Sequence, residues 1–193
     1  MKTRIDLPLT FHPLTPERWQ DFDKLFGPNG ACAGCWCMFW KKTRKQFNAD
    51  SYEQNRLDQK LTVEEGQVPG ILAYVAGEPV GWCAVEPREN FSALERSRIL
   101  KPVDENPVWS LPCFFVTRKF RNQGITVALL MEAVKYVSSR GGRIVEGYPV
   151  EVTAGKAVDA FIFTGTASAF KRAGFVEVAR RSPKRPIFRY KTS

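Results

Sequence analysis

The sequence predicts a mixed α/β fold in which a sheet packs against helices, and three features point to this class. A hairpin of two apolar segments precedes an alternation of strand-like and helix-like segments, and one helix has an apolar face wide enough to cover a sheet. The order is helices, a hairpin, then strand–helix–strand–helix–strand. Because this order differs from that of a regular doubly wound parallel sheet, we expect a mixed α/β sandwich.

Two helices are expected in the first third of the chain. Thr15 followed by Pro16 is typical of a helix start, and the Gly- and Pro-rich residues 26–30 are typical of its end. A polar helix is expected over about residues 51–65, where Gly66 closes it.

Strands are expected next. Residues 71–76 and 80–85 are apolar and flank a Gly-Glu-Pro turn, which predicts a hairpin. Residues 108–116 form the most apolar strand candidate, but Pro112 interrupts them. Since proline lacks the N–H that a central strand donates, we expect a bulge or a local parting of the sheet there.

The clearest helix of the chain is expected over residues 125–139, where two adjacent apolar stripes form one broad face. Gly141 and Gly142 end it. The remaining expected elements are a strand over residues 143–148, a polar loop over 149–159, a short helix over 166–172 and two strands near 176 and 188.

Length and composition indicate one globular domain. The chain has 193 residues, 44% of them apolar and 25% charged, enough to bury a core without disulfides. We expect a single domain over residues 1–193, with helices and a Cys/Trp segment in 1–68 and the sheet core in 69–193. No segment has the apolar run of a membrane span, and the N-terminus lacks a secretory signal pattern. The expectation is a cytoplasmic protein without a membrane partner.

The cysteines and the single histidine limit the chemistry. Five cysteines, an odd number, suit a reducing compartment. Cys32, Cys35 and Cys37 lie close together, and His12 is the one histidine that they have for a zinc site with four ligands. We expect no metal and interpret the thiols as apolar packing groups, with a Cys₃His site as the alternative.

The most informative segment joins the end of a strand at Val116 to a helix opened by Gly124. Between them lie the basic residues Arg118, Lys119 and Arg121. The first turn of a helix has unpaired N–H groups and the positive end of the helix dipole, so this segment predicts an anion site. The sequence patterns of P-loop ATPases and of Rossmann dehydrogenases are absent, which weighs against both classes.

The segment Arg121-Asn122-Gln123-Gly124-Ile125-Thr126 resembles the acyl-CoA-binding motif of the GNAT acetyltransferase superfamily, Arg/Gln-x-x-Gly-x-Gly/Ala. Residues 169–175, a helix that runs into Gly-Phe, resemble the second signature of that family. The Gly34-Cys35-Trp36-Cys37-Met38 segment is similar to one in a subset of bacterial members. The resemblance implies an acetyl-CoA-dependent N-acyltransferase whose mixed, mostly antiparallel sheet is splayed at its centre and flanked by helices.

The resemblance also implies which residues bind the cosubstrate acetyl-CoA. Main-chain groups of Phe114, Phe115 and Val116 would pair with the pantetheine amides, and Arg121 or Lys171 would meet the adenosine 3′-phosphate. The pyrophosphate would lie on the backbone N–H groups of the helix start, from Asn122, Gln123 and Gly124 to Ile125 and Thr126. Thr126 is a departure from the family pattern, which has Gly or Ala there.

Catalytic residues are less well defined. Family members commonly use a Glu near the sheet centre as base and a Tyr before Gly-Phe as acid, but here Phe170 stands at the Tyr position. We expect Glu86 to be the base, with Glu146 as the alternative. Tyr148 is expected to replace the missing acid, whereas Tyr136 is expected in the helix core.

The acetyl group is expected to pass directly to an amine in a ternary complex, because Cys113 has no histidine partner for a covalent route. The acceptor amine is not identified by the sequence. Four tryptophans supply apolar area and are interpreted as core residues rather than an acceptor cage: Trp36, Trp40, Trp82 and Trp109.

The net charge of +9 leaves two alternative functions open. The last 23 residues hold eight basic residues and one acidic residue, which invites a nucleic-acid-binding module, although no nucleic-acid-binding motif is present. Because Phe170 replaces the family's tyrosine, an acyl-CoA-binding regulator without catalytic activity is the other alternative. A homodimer is also left open.

Overall fold

The computed structural model describes residues 8–152 and 163–192. In these residues the chain forms nine strands: β1 (Leu9–Pro13), β2 (Gly70–Val75), β3 (Glu78–Ala84), β4 (Glu86–Pro87), β5 (Trp109–Leu111), β6 (Phe114–Val116), β7 (Ile144–Gly147), β8 (Val176–Arg180) and β9 (Pro186–Lys191). It also forms six α-helices: α1 (Trp19–Phe26), α2 (Arg44–Ala49), α3 (Tyr52–Glu64), α4 (Ser92–Glu95), α5 (Ile125–Ser139) and α6 (Ala167–Arg172).

The strands form two sheets, with the orders β1-β2-β3-β6 and β4-β5-β7-β9-β8. All neighbouring strands are antiparallel except β5 and β7, which are parallel. The mixed, mostly antiparallel architecture flanked by helices is therefore confirmed.

The elements that the sequence signalled most clearly are present within two residues of the expected bounds, although the hairpin turn is at Ala76 and Gly77, and Glu78 and Pro79 already belong to the second strand. The hairpin is β2 and β3, the broad apolar helix is α5, and the polar helix is α3, whose Ser51 side chain accepts a hydrogen bond from the Gln54 N–H. The first helix begins with a 3₁₀ turn at Pro16–Arg18, and Thr15 makes no side-chain cap. The polar loop expected over 149–159 lies largely outside the described residues.

Two elements were missed by the sequence analysis. Strand β1 pairs antiparallel with β2 along its full length, so the first sheet starts well before residue 69, where the sheet core was expected to begin. Helix α2 opens with a capping box in which Thr43 and Gln46 exchange side-chain-to-backbone hydrogen bonds. That pattern is a known helix-start signal and was present in the sequence.

Apolar side chains pack on both faces of the sheets. One cluster joins the first sheet and the inner strands of the second to α5 and α6, while another joins the opposite faces to α1 and to the Cys/Trp segment. Helix α5 lies close to the first sheet at Gly81, where an added Cβ would come within 3.1 Å of the Ile125 side chain. This contact fixes the start of α5 against β3.

Among the residues that the structure describes, no helix has both the length and the apolar character needed to cross a membrane.

Candidate active site

The apolar strand expected over residues 108–116 is split in two at Pro112. Its first half, β5, pairs with β7, whereas its second half, β6, leaves the second sheet and pairs with β3 in the first. The last β5–β7 pair is Leu111 with Gly147. Beyond it the two sheets diverge, and the gap between β6 and the chain that follows β7, called the cleft below, is spanned by residues 163–166. The interruption predicted from Pro112 is confirmed.

The main-chain groups of β6 face alternately toward β3 and toward the cleft. The Cys113 carbonyl accepts from Ala84 N–H at 2.9 Å, and Thr117 N–H donates to the Val80 carbonyl at 3.0 Å. Since strands alternate with period two, the main chain of Phe115 also faces β3, opposite Trp82.

Phe114 and Val116 are therefore the β6 residues whose main chain faces the cleft. Phe114 N–H donates to the Phe163 carbonyl at 2.6 Å, and the Val116 carbonyl accepts from Arg121 Nε at 3.0 Å. The Phe114 carbonyl and the Val116 N–H face the cleft without a partner among residues 8–152 and 163–192.

The chain from Phe163 to Thr166 lies between the two walls of the cleft. Phe163 bonds to β6, while Val150, three residues beyond β7, donates its N–H to the Gly165 carbonyl and pairs with Thr166. Thr164 is buried and accepts a hydrogen bond from Arg185 at 2.8 Å. Both walls of the cleft are thus bonded to this segment.

The start of α5 adjoins the end of β6 and has the properties of an anion site. Gly124, its N-cap, has φ +88° and provides no side chain to cap the helix. Asn122 is also left-handed, with φ +62°. In the described part of the chain, no acceptor is bonded to the backbone N–H groups from Asn122 to Val127. Uncapped N–H groups at a helix start bind phosphate.

Space above Gly124 is open, because a Cβ added there would meet no heavy atom within 4 Å. Arg121, Lys119 and Arg118 lie in the turn that leads to this glycine. Arg121 is tied back to the end of β6, and Lys119 lies over the Phe120 ring. The position of these cations beside the helix start adds positive charge where an anion would lie.

A row of polar side chains crosses the second sheet on the face away from α5. It runs across β4, β5, β7 and β9 through the paired positions Glu86, Ser110, Glu146 and Arg189. All four are buried. Buried charge requires partners, and each carboxylate of the row has at least one cation.

Glu146 is fully buried between two arginines. Its Oε1 lies 3.1 Å from Arg88 and its Oε2 lies 2.7 Å from Arg189. Tyr148 donates its hydroxyl hydrogen to the same Oε1 at 2.7 Å. Because both oxygens are occupied by strong donors, Glu146 is placed to hold the sheet together rather than to accept a proton from a substrate.

The Tyr148 hydroxyl is saturated within this network. Besides donating to Glu146, it accepts from Arg88 at 2.7 Å and lies 2.7 Å from the Ser110 hydroxyl. Burial raises the pKa of Tyr148 well above its ordinary value, and the Glu146 carboxylate adds to this effect. The phenol is held neutral, with its one hydrogen directed at Glu146 and not at the cleft.

Replacing Tyr148 with Phe should change the alkaline limb of the stability profile. Below about pH 10 both the folded and the unfolded state keep this proton. Above it the unfolded phenol ionises while the buried one does not, so the free energy of unfolding falls by up to about 1.4 kcal/mol per pH unit. Urea unfolding between about pH 9 and pH 11 should show a shallower fall in Tyr148→Phe than in the wild type. Cysteine ionisation contributes equally to both proteins and cancels when their free energies of unfolding are compared. If the free energy of unfolding fell equally steeply with pH in both, the phenol of Tyr148 would not be buried and neutral.

Glu86, the expected base, is buried but differently partnered. Its Oε1 forms an ion pair with Lys41 Nζ at 2.6 Å, and its Oε2 accepts from Asn90 at 2.9 Å. Glu86 is two residues from Ala84, which bonds to Cys113 at the split of the strand. This carboxylate therefore lies close to the cleft, with a single cation facing it.

Phe170 packs under the cleft in the apolar core. It is fully buried, makes an edge contact with Phe114 at 6.0 Å between ring centres, and fills the space left by Gly147. A Cβ on Gly147 would lie 2.1 Å from the Phe170 ring, so the two residues require each other. Phe170 therefore has a packing role at the position where the family pattern has the tyrosine hydroxyl that acts as acid.

The Cys/Trp segment packs against the second core cluster. Trp36 stacks on Phe26 with ring centres 5.6 Å apart, and Trp82 donates to the Cys37 sulfur at 3.0 Å. Trp36 and Cys37 have positive φ, of +45° and +60°, a costly conformation for residues other than glycine. The tryptophans Trp36, Trp40 and Trp82 are buried core residues, and Trp109 is partly buried.

The five thiols are free, and burial helps to raise the pKa of three of them: Cys35, Cys83 and Cys113. A hydrogen bond with Cys37 and burial raise the pKa of Cys113 well above its ordinary value. Burial raises the pKa of Cys35 to about 12. Within residues 8–152 and 163–192, no group of three or more His, Cys, Asp or Glu side chains is arranged to hold a metal ion.

Three residues of this region were missed by the sequence analysis: Arg88, Lys41 and Phe163. Arg88 lies in a mixed segment, and its partners Glu146 and Tyr148 are about 60 residues away. Lys41 belongs to a basic run that the sequence presents as a charged surface. The pairing of Arg88 with Glu146 and the pairing of Lys41 with Glu86 join distant segments, so neither produces a local sequence pattern.

A split strand beside an uncapped helix start is an arrangement suited to an extended ligand with phosphates at one end. The family model described as the acetyltransferase (GNAT) family matches residues 33–159, about two thirds of the chain. The chain belongs to this family. Acetyl-CoA is accordingly its acyl donor, and N-acetyl transfer is its activity. The resemblance seen in the sequence is confirmed, while the likeness of the 34–38 segment to a bacterial subset stays a prediction.

Solved structures with the same fold include several acetyltransferases. A GNAT family acetyltransferase from Streptococcus agalactiae is 13% identical, with 97% of this chain and 99% of that chain covered and a TM-score of 0.58. One from Listeria monocytogenes is 10% identical, with 98% of both chains covered and a TM-score of 0.57. The PaiA N-acetyltransferase from Thermoplasma acidophilum, solved with coenzyme A, is 12% identical, with 96% and 99% covered and a TM-score of 0.54. No curated protein sequence matches the chain.

Proposed function

We propose that the chain transfers the acetyl group of acetyl-CoA to an amine by direct attack in a ternary complex in the cleft between β6 and β7. The observation that carries this proposal is the split of the strand at Pro112 immediately beside the uncapped start of α5. A ligand with phosphates at one end and amides along its length suits this arrangement. The odd number of free thiols supports the expected cytoplasmic location.

The acyl donor would be held at two places. The Phe114 carbonyl and Val116 N–H would pair with the pantetheine amides, while Phe115 supports β6 through β3. The pyrophosphate would lie on the backbone N–H groups of the α5 start, namely Asn122, Gln123, Gly124, Ile125 and Thr126, with Arg121 beside them. Thr126 fits a first helical turn, since its N–H remains available whatever its side chain.

Glu86 would take the proton of the acceptor amine. The amine must be neutral to attack, and Glu86 is the carboxylate near the cleft that is not held by two arginines. Tyr148 could donate a proton to the leaving thiolate only if its bond to Glu146 were exchanged. We therefore propose that Tyr148 positions Arg88 and Ser110 beside Glu86, and that its predicted role as the acid requires that exchange.

Glu86→Gln should lower kcat by about 10²–10⁴-fold, because a general base contributes that much. The limb of the pH–rate profile on which activity rises with pH should flatten as well. Steady-state thiol release with an accepted amine measures both. Glu89→Gln is a matched control, since Glu89 is exposed three residues away. An unchanged pH–rate profile in Glu86→Gln would show that Glu86 is not the base.

A regulator that binds acyl-CoA without transferring it is the second candidate, favoured by the packing role of Phe170 and the closed Tyr148 network. Native mass spectrometry of the purified protein tests for bound coenzyme A. A thiol-release assay across a panel of amines then separates the two functions. Release that depends on the amine supports the transferase, whereas acetyl-CoA binding without release supports the regulator.

A further inference from the structure

Lys41 brings a buried amine to the carboxylate proposed as the base. Its Nζ lies 2.6 Å from Glu86 Oε1, and the two side chains are only 11% and 3% exposed. In the described ranges, Glu86 is the carboxylate paired with this amine. The close ion pair shows that an amine reaches Glu86 Oε1, although no donor in the described residues is aligned to form a hydrogen bond with this oxygen.

The backbone of Lys41 is held firmly at this place. Its carbonyl accepts from the Ser92 hydroxyl at 2.8 Å, and its N–H donates to the Met38 carbonyl at 3.1 Å. The preceding carbonyl, that of Trp40, accepts from Ala93 N–H at 3.0 Å. Lys41 is thus anchored on the start of α4, and its side chain is directed inward to Glu86.

The same segment reaches the cleft. The Trp40 ring packs on the Phe163 ring with centres 6.3 Å apart, and the Phe163 carbonyl accepts from Phe114 on the cleft wall. Lys41 is therefore paired with the proposed base and lies one residue from a side chain that contacts the segment lining the acyl-donor cleft.

The neighbouring lysine has a different environment. Lys42 Nζ is bonded to Asp50 at 2.6 Å and to Asn55 at 2.8 Å, and it also pairs with Asp58. These partners belong to α3 and the turn before it, away from β4. Lys42 is as buried as Lys41, but its amine is surrounded by acceptors from this separate segment.

We propose that Lys41 is itself an acetylation site, modified by the acetyl-CoA bound in the cleft of the same molecule. Glu86 takes one proton from the Lys41 ammonium. The neutral Nζ attacks the thioester carbon, so that a C–N bond forms and the C–S bond breaks. The thiolate of coenzyme A leaves with the electron pair and takes up the proton that Glu86 accepted, and the second ammonium proton is lost to solvent. This inference rests on the proposed function of the cleft.

The modification would remove the only cation paired with Glu86 in the described residues. An amide has no basic nitrogen, so acetyl-Lys41 could neither neutralise Glu86 nor return the acetyl group. Lys41 and an external amine would compete for the same carboxylate. Acetylation of Lys41 would therefore occur when acetyl-CoA is bound and no acceptor amine is present.

The test uses the full-length protein incubated with acetyl-CoA in the absence of any amine. Intact mass spectrometry follows the addition of acetyl groups, and fragment ions distinguish Lys41 from Lys42. We expect one acetyl group at Lys41, ahead of Lys135, whose side chain is 71% exposed. Spontaneous acetylation would favour the exposed lysine. Lys42→Arg should leave modification of Lys41 intact, and Glu86→Gln should slow it by about 100-fold or more.

Gly124→Glu separates the possible outcomes. If Lys41 is modified as fast in this variant as in the wild type, the acetyl group does not come from the cleft, and the inference is overturned. If calorimetry shows that the wild-type protein binds acetyl-CoA and it acetylates external amines while its Lys41 stays unmodified, the inference is overturned and the proposed function stands. If the wild-type protein does not bind acetyl-CoA at all, both are overturned.

Discussion

Gly124→Glu is expected to abolish measurable binding of acetyl-CoA. The backbone at Gly124 has φ +88°, and the space where its side chain would extend is open. A glutamate there would place a carboxylate at the N–H groups proposed to hold the pyrophosphate. Two charge-assisted hydrogen bonds at about 1.5–3 kcal/mol each correspond to a loss of affinity of at least about 100-fold. Isothermal titration calorimetry measures it directly.

Gly141→Glu provides the matched control, because it adds the same residue at the other end of the same helix. Gly141 has φ +76°, and a Cβ there also meets nothing within 4 Å. Both variants should lose about 1–2 kcal/mol of stability from the left-handed backbone. Only Gly124→Glu should lose the ligand. Unchanged affinity in Gly124→Glu, or equal loss in both variants, would contradict the proposed phosphate site.

Glu146→Ala is expected to have the largest effect on stability. The carboxylate is fully buried between Arg88 and Arg189, and its removal leaves two buried guanidinium groups without this counter-charge. Breaking a buried ion pair from one side costs about 3–5 kcal/mol, a large part of the stability of a domain of this size. Urea unfolding at neutral pH gives the free energy of unfolding of the variant and of the wild type.

Glu78→Gln tests whether burial is the cause of this loss. Glu78 also forms an ion pair, with Lys24, but both side chains are 63% exposed. Exposed pairs contribute about 0–1 kcal/mol, so this variant should unfold almost as the wild type does. A similar, small loss in both variants would show that the Glu146 network does not hold the second sheet together.

The fold was predictable wherever local signals decide it. The hairpin, helix α5 and the split at Pro112 follow from turn residues, an apolar stripe and a missing N–H, all of which act within a few residues. Strand β1 was missed because Leu9–Pro13 is short and gains its strand character by pairing with β2. Pairing across about 60 residues leaves no pattern in either segment alone.

The start of α5 was predictable as an anion site because its chemistry depends on adjacent residues. The environment of the carboxylates was not. Glu86 and Glu146 look alike in the sequence, as acidic residues at strand ends, but one faces a single lysine and the other two arginines. Which cation reaches which carboxylate depends on how separate segments pack in three dimensions.

The basic tail has a structural explanation that the sequence did not reveal. Four of its arginines bond to carboxylates, carbonyls or hydroxyls of the protein itself: Arg180, Arg181, Arg185 and Arg189. Arg185 donates hydrogen bonds to both the Tyr148 carbonyl and the Thr164 hydroxyl beside the cleft. Much of the charge that invited a nucleic-acid partner is therefore used to tie the C-terminal strands to the rest of the chain.

The hydrogen bond from Phe114 N–H to the Phe163 carbonyl affects which acyl donors the enzyme can use. A ligand amide that takes this N–H replaces a bond already made, so the exchange yields little net free energy. The pantetheine arm then gains only its bonds to the Phe114 carbonyl and the Val116 N–H, so the larger share of the affinity is expected from the nucleotide end of the ligand, at the start of α5. A truncated thioester that carries the acetyl group but no phosphates should accordingly be a poor substrate, however well its short arm fits the cleft.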